Sequence, residues 1–323
     1  MEKINWGIIG CGDVTEIKSG PAFNKVNNSS LVAVMRRNAQ KAKDYAHRHQ
    51  VPKWYDDASS LINDPDVNAI YVATPPSTHE EFTIAALKAG KPVYVEKPMA
   101  HSYQSSVRMA VMAKKMNLKL VVAHYRREQP LFKKVKELIS NKSIGDVLLA
   151  QIKLFKPSLT KDEINNPRIA WRINPSVSGG GLFHDLAPHQ LDLMYYFFGP
   201  VQKVLGVSMN QQNQYKADDL VTGTILFENG TVFNGAWCFN SLIEEDHCEI
   251  IGSSGILKFN IFSGNTITLS TTEKTSILSF DLLPHVQQPM IEKTVSYFLG
   301  EGPNPCSGDE GAEVMRLIEA FTS

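Results

Sequence analysis

The 323-residue chain has few cysteines, and none of them form a CxxC pair. Cys11, Cys238, Cys248 and Cys306 are scattered, which reads as free thiols in a reducing compartment and so as a cytoplasmic protein. No apolar run approaches the roughly 18–20 residues that cross a bilayer, and no signal peptide is expected before the first strand. Neither charge predominates: lysine plus arginine and aspartate plus glutamate number 33 each. That balance argues against a nucleic-acid surface or a polyanion partner. Repeats and low-complexity tracts are absent. At 43% hydrophobic residues the length supports two full cores, so two domains are expected.

A further absence comes early in the chain. Residues 6–9 read as a buried strand that runs into Gly10-x-Gly12, followed by a helical pattern. This is the opening of a nucleotide-binding βαβ unit, in which the first glycine permits a tight turn and the second lets backbone approach a pyrophosphate. The third glycine of that motif is missing, because Thr15 stands there and its branched side chain is expected to hold helix and strand apart. Gly20-Pro21 should break the helix soon afterwards. The second strand, 31–35, lacks the acid that an NAD-preferring unit carries at its end. Arg36 and Arg37 stand there, and Lys41 follows one turn on. Guanidinium pairs bidentately with phosphate, so these residues point to the 2′-phosphate of NADP(H), with NAD(H) as the lesser option.

Two further buried strands follow. Residues 69–73 end in Thr74-Pro75-Pro76, a rigid loop at the edge where ligands of open α/β sheets bind. Ser77 and Glu80 have capping-box spacing for a helix to about residue 89, and His79 in its first turn is a candidate to face the cofactor. Residues 92–95 end in Glu96-Lys97-Pro98, which sets a lysine at the same edge. Helix 103–116 and strand 118–123 lead to His124-Tyr125-Arg126-Arg127, and helix 131–139 follows.

After Gly145 the pattern changes to strands at 146–155, 201–209, 220–228, 231–239, 249–251, 256–261 and 266–270. Asn229-Gly230 and the 252–255 segment read as turns. Strand follows strand, so this half is a mostly antiparallel sheet. Helices are expected at 182–198, 288–299 and 309–321. Gly179-Gly180-Gly181 introduces the first of them. On it Asp185 and His189 share a face, with Asp192 in reach of His189. With Lys97 they make a polar catalytic cluster. No metal site is expected: His184 and His189 stand about 500° apart around the helix.

These motifs together closely resemble the glucose–fructose oxidoreductase / inositol dehydrogenase / MocA (Gfo/Idh/MocA) family over nearly the whole length. They are Gly10-Cys11-Gly12, Ala73-Thr74-Pro75-Pro76, Glu96-Lys97-Pro98, and the glycine triplet with Asp185 and His189. The resemblance implies an α/β protein: an N-terminal doubly wound Rossmann domain with a mostly parallel sheet, then an α+β domain with a large, mostly antiparallel open sheet. The boundaries are read as 1–123 for cofactor and 124–323 for substrate and oligomerisation. It implies nicotinamide-dependent oxidation or reduction of a sugar, cyclic polyol or related carbonyl compound, and a homodimer or homotetramer formed through the sheet. Carried over, Lys97, Asp185 and His189 match the catalytic trio. Cys11, Gly12, Asp13, Val14, Arg36, Arg37, Thr74, Pro75, Pro76, Ser77, Thr78, Glu96 and Lys97 fall in cofactor-contacting segments. Trp171-Arg172 resembles a pair that reaches the cofactor in the anhydrofructose reductase branch, and His124, Tyr125 and Arg126 align with a segment bordering the substrate. Ala187-Pro188 departs from the family pattern, and Lys18-Ser19-Gly20-Pro21 has no assigned counterpart.

Hydride transfer requires a proton to move on the substrate oxygen. His189 suits that step, because imidazole titrates near neutrality. Lys97 can stabilise charge developing on that oxygen, and Asp185 can orient a hydroxyl or keep Lys97 charged. Which of Lys97 and His189 moves the proton stays open. Two other readings remain: a dihydrodiol- or biliverdin-type reductase acting on an aromatic substrate, and a non-catalytic NADP(H)-binding regulator. The presence of Lys97, Asp185 and His189 favours catalysis over the regulator.

Overall fold

The computed structural model describes residues 2–322, which divide into two units. The first contains the chain up to Arg126 and Leu283–Met315; the second contains Arg127–Leu282 and the residues from Arg316 on.

Six short strands build the first unit: β1 (Ile4–Ile9), β2 (Ser29–Met35), β3 (Lys53–Tyr55), β4 (Ala69–Val72), β5 (Val93–Val95) and β6 (Leu120–Val122). All are parallel, in the order β3-β2-β1-β4-β5-β6. Each of β4, β5 and β6 is buried along its whole length, as a parallel sheet covered by helices on both faces requires. The order reverses between β1 and β4, the point beyond whose strand ends open α/β sheets bind their ligands. β3 and the short helix Ala58–Ile62 were not expected from the sequence, because three residues of strand carry too little periodicity to register.

The C-terminal return of the chain completes this unit. Helix Gln288–Leu299 brings Phe298 against Trp6, ring centroids 5.5 Å apart. Trp6 also meets Phe23 at 4.9 Å, and Tyr71 stacks on Tyr94 at 5.1 Å. At the end of β6, the amide of Val122 donates to the carbonyl of Cys306 at 3.0 Å.

The second unit is built on an eight-stranded sheet, against which helices Pro130–Ser140 and Leu182–Phe198 pack. Its strands are β7 (Val147–Phe155), β8 (Val201–Met209), β9 (Leu220–Phe227), β10 (Val232–Cys238), β11 (Glu245–Gly252), β12 (Gly255–Phe259), β13 (Thr266–Thr271) and β14 (Thr275–Ser279). The order is β14-β13-β12-β11-β7-β10-β9-β8, with only the β7–β10 pair parallel. β14 went unseen in the sequence; it is a five-residue edge strand of alternating exposure rich in serine and threonine. Alternate residues of β10 are buried, and Trp237 among them packs edge-on to Phe183 of helix Leu182–Phe198 at 5.1 Å. Trp237 also donates through its indole N–H to Gln190 Oε1 at 2.6 Å. On the other face of the sheet, β8 exposes Leu205, Val207 and Met209. No helix among the described residues is long and apolar enough to cross a membrane.

Candidate active site

At the end of β1, Gly10 has φ +94°, and a Cβ there would lie 2.7 Å from the Thr74 methyl and 2.8 Å from its nitrogen. Only glycine lets β1 and β4 end this close together. Gly12 has open space outside it, since a Cβ there would meet nothing nearer than the Gly10 carbonyl at 3.8 Å. The outer surface of the turn is therefore bare backbone. It leads into the short helix Asp13–Ile17, in which the Thr15 amide donates back to the Gly12 carbonyl at 2.9 Å. This surface fits a dinucleotide pyrophosphate. Thr15 does not wedge the turn open. Its hydroxyl donates to the Gly12 carbonyl at 2.8 Å, and its own carbonyl accepts from Tyr45 at 2.8 Å. Cys11 is buried, and burial pushes its thiol up to about 11.

Arg36, just past β2, donates to the Cys11 carbonyl at 3.3 Å, so its guanidinium lies across the glycine turn. Arg37 and Lys41 are exposed beside it. Asn38 caps helix Ala39–Arg48 by accepting from the Lys41 amide at 2.9 Å.

Past β4, Thr74 and Pro75 line the strand end and Pro76 is buried. Ser77 is not a helix cap. Pro76–Thr78 forms a 3-10 turn, and helix His79–Lys88 starts after Thr78, whose hydroxyl donates to Thr74 Oγ1 at 2.8 Å. The two prolines favour that tighter turn over the expected start at Ser77. His79 is wholly buried, with Nε2 2.7 Å from the Thr74 carbonyl and Nδ1 3.0 Å from that of Pro98. Burial pushes its pKa down, against the pull of those carbonyls and of Glu96. Both ring nitrogens are spent on main chain, so the ring braces the two loops instead of offering a nitrogen to the cofactor. Past β5, Glu96 is buried and Lys97 half-buried. Past β6, His124 and Tyr125 are buried, and the Arg126 guanidinium lies 5.7 Å from the Tyr125 ring centroid.

In the second unit, helix Leu182–Phe198 carries Asp185 and His189 one turn apart. The glycine triplet before it has a packing cause: a Cβ on Gly180 would lie 2.0 Å from the buried His184 ring. Pro188 sits inside the helix and has no N–H for the carbonyl four residues back. Asp185 Oδ2 accepts from Arg172 Nε at 3.1 Å, and that guanidinium stacks on the Trp171 ring at 4.5 Å. The expected pair Trp171-Arg172 is thus tied to the expected catalytic aspartate. His189 is buried edge-on against the Phe262 ring, centroids 5.7 Å apart. Asp192, expected in reach of His189, is engaged by Arg127: Nε donates to Oδ1 at 2.9 Å and Nη2 lies 2.7 Å from Oδ1, with both side chains buried.

Sequence reasoning missed Phe262. Its loop is held by Asp246, whose carboxylate accepts from the amides of Ile261, Phe262 and Ser263 at 3.1, 2.7 and 2.7 Å. An aspartate inside a strand is a weak signal for such a clamp. Among the described residues no group of three or more His, Cys, Asp or Glu side chains is arranged to hold a metal ion.

A parallel sheet in 3-2-1-4-5-6 order, with a bare glycine turn at its reversal point, is the architecture of a dinucleotide-binding unit. The chain belongs to the Gfo/Idh/MocA oxidoreductase family. The family model described as "Oxidoreductase family, NAD-binding Rossmann fold" matches residues 4–124, and that of the GFO/IDH/MocA C-terminal domain matches 132–258. "Oxidoreductase P35" of Formosa agariphila is 46% identical over 99% of this chain and 98% of its own. The 1,5-anhydro-D-fructose reductase of Ensifer adhaerens is 25% identical over 95% of this chain and 91% of its own. A solved levoglucosan dehydrogenase in complex with NADH and levoglucosan aligns with a TM-score of 0.88 at 22% identity, covering 99% of this chain and 96% of that one. At that identity the likeness speaks for the fold.

Proposed function

We propose that this oxidoreductase is an NADP(H)-preferring enzyme acting on a sugar, cyclic polyol or related carbonyl compound, with Lys97, Asp185 and His189 as its catalytic groups. The observation that carries this reading is an Asp185–His189 face on a largely buried helix, in a chain whose other unit ends β5 with Lys97. The first unit binds the dinucleotide. Gly10 to Val14 hold the pyrophosphate, Arg36, Arg37 and Lys41 take the 2′-phosphate, and Thr74 to Ser77 with Glu96 and Lys97 border the nicotinamide half. Trp171 and Arg172 are cofactor-contacting residues in the same reading. A sugar substrate is named for the anhydrofructose reductase relative, which supports the substrate class. His124, Tyr125 and Arg126 border the substrate.

When bound, the nicotinamide gives or takes the hydride. In reduction, His189 donates a proton to the substrate oxygen as that oxygen gains charge. Lys97 supplies a fixed positive charge to it. Asp185, held by Arg172, orients a neighbouring hydroxyl. The exposed Leu205, Val207 and Met209 support a homo-oligomer formed through the sheet, and the scattered cysteines support a cytoplasmic protein.

An absorbance screen at the reduced-cofactor band tests this. Both cofactors are run against aldoses, ketoses, anhydrosugars, inositols and aromatic diols. NADPH-linked turnover of a sugar or polyol is expected. Preference for NADH overturns the reading of Arg36 and Arg37, and preference for aromatic diols overturns the substrate class. Tight cofactor binding with no turnover across the panel favours the regulator. His189→Ala and Lys97→Met should each lower kcat by about a hundredfold or more with cofactor affinity kept.

A further inference from the structure

Gln287 stands just before helix Gln288–Leu299, in the N-cap position, yet its side chain makes no cap hydrogen bond. Glutamine is a poor cap, and this one points inward and is fully buried. Its Nε2 donates to Glu96 Oε1 at 2.6 Å, and its Oε1 accepts from the Tyr94 hydroxyl at 3.0 Å. Only one orientation of the amide serves both partners. Glu96 Oε1 also accepts from Tyr71 at 2.5 Å, and Glu96 Oε2 from the Lys97 amide at 3.1 Å. The Tyr71 hydroxyl lies 3.2 Å from that of Ser19, which is buried. The Gln287 amide donates to the Lys18 carbonyl at 3.2 Å. Two residues earlier, His285 Nδ1 lies 2.7 Å from the Ile17 carbonyl and its Nε2 2.7 Å from Lys25 Nζ. Residues 285–287 are thus bonded to Ile17 and to Lys18, the first residue of the 18–21 segment that has no assigned family counterpart.

A buried carboxylate without donors is costly, so Glu96 keeps its place only while its donors hold. Burial, followed by the nearby carboxylate, raises the pKa of Tyr71 well above the ordinary phenol value, which keeps its proton in place as a donor. Glu96 in turn receives the backbone N–H of Lys97, the residue whose ammonium the proposed reaction uses. The amide at position 287 therefore bears on where Lys97 starts from. A carboxylate there would face Glu96 with like charge, and a hydrocarbon would leave both Glu96 and Tyr94 short of a partner.

We infer that Gln287 is a positioning residue for Lys97, acting through Glu96; this rests on the catalytic reading of Lys97 above. Misplacing a reacting group by a fraction of an ångström costs rate more than binding. Gln287→Met should therefore lower kcat by about ten- to a hundredfold, with the NADPH dissociation constant and KM changed by less than about threefold. The measurement uses the full chain, the fastest substrate from the panel, and NADPH fluorescence titration. Gln287→Glu, nearly isosteric, supplies a readout that a purely structural role does not move. Its kcat should be low at about pH 8 and recover as the pH falls toward about 6, because one shared proton lets either carboxyl donate to the other.

Wild-type kcat and pH profile in both variants, with only a lower melting temperature, would overturn the inference. Lys97→Met, run alongside, separates it from the reading beneath it. Full turnover in Lys97→Met removes the role of Lys97 and this inference together. Lost turnover there, with wild-type turnover in both Gln287 variants, removes the inference alone.

Discussion

Arg172 donates through Nε to Asp185 Oδ2 at 3.1 Å, while its guanidinium lies 4.5 Å from the Trp171 ring centroid. Cation and carboxylate fix each other's orientation on the part-buried face that leads to His189. Arg172→Leu should therefore lower kcat/KM by about tenfold or more, with Arg172→Lys intermediate, because lysine lacks the planar fork. Steady-state kinetics beside melting curves check this; unchanged kcat/KM in Arg172→Leu would remove the link to catalysis.

Asp246 gathers three successive amides and so sets Phe262 edge-on to His189. Asp246→Ala leaves those amides without their acceptor and should cost about 1–3 kcal/mol in denaturant unfolding. Phe262→Ala should change stability less and raise KM more, if the ring is a wall of the substrate pocket. Equal KM in wild type and Phe262→Ala would show the ring to be packing only.

The Arg127–Asp192 pair is buried on both sides. Breaking it from one side leaves a charge uncompensated, so Asp192→Ala should lose about 3–5 kcal/mol. The double variant Arg127→Met/Asp192→Leu should recover a large part of that loss. A thermodynamic cycle by urea unfolding decides it, and an additive result would mean that the two charges are solvated separately.

Glu16 receives a two-pronged pair of hydrogen bonds from Arg48, at 2.7 and 2.9 Å. Chiefly through those bonds, with burial opposing and His49 adding, its carboxyl is held down to about 2 from an ordinary 4.5. The folded value lies below the unfolded one, so the stabilisation is complete above about 4.5 and is lost as the pH falls toward 2. Both side chains are partly exposed, which limits it to about 1 kcal/mol. Glu16→Gln should be less stable than wild type by that amount at neutral pH, with the gap closing through the acid window. A gap that stays constant down to low pH would contradict the pairing.

The strand ends were legible because each is a local pattern: an apolar run stopped by glycine, proline or a charge. Gly10, Thr74, Pro75 and Lys97 therefore fall at the carboxyl edge where the sequence put them. Ser77 and His79 were harder, because two prolines override a capping signal and a histidine's burial depends on loops far along the chain. Helix spacing put Asp192 in reach of His189, but spacing carries no information about Arg127, which binds that carboxylate from 65 residues earlier.

By itself the sequence determined the two kinds of sheet, the glycine turn and the three candidate catalytic residues, since periodicity and short motifs encode local geometry directly. The tertiary structure alone decided which polar groups are paired: Gln287 with Glu96, Arg172 with Asp185, Asp246 with the Phe262 loop. It also decided that Leu283–Met315 returns to the first unit, where Phe298 closes on Trp6. The three polar pairings join residues from 13 to 191 positions apart. They arise because burial makes every unpartnered polar group costly, and that cost is met only once the chain is folded.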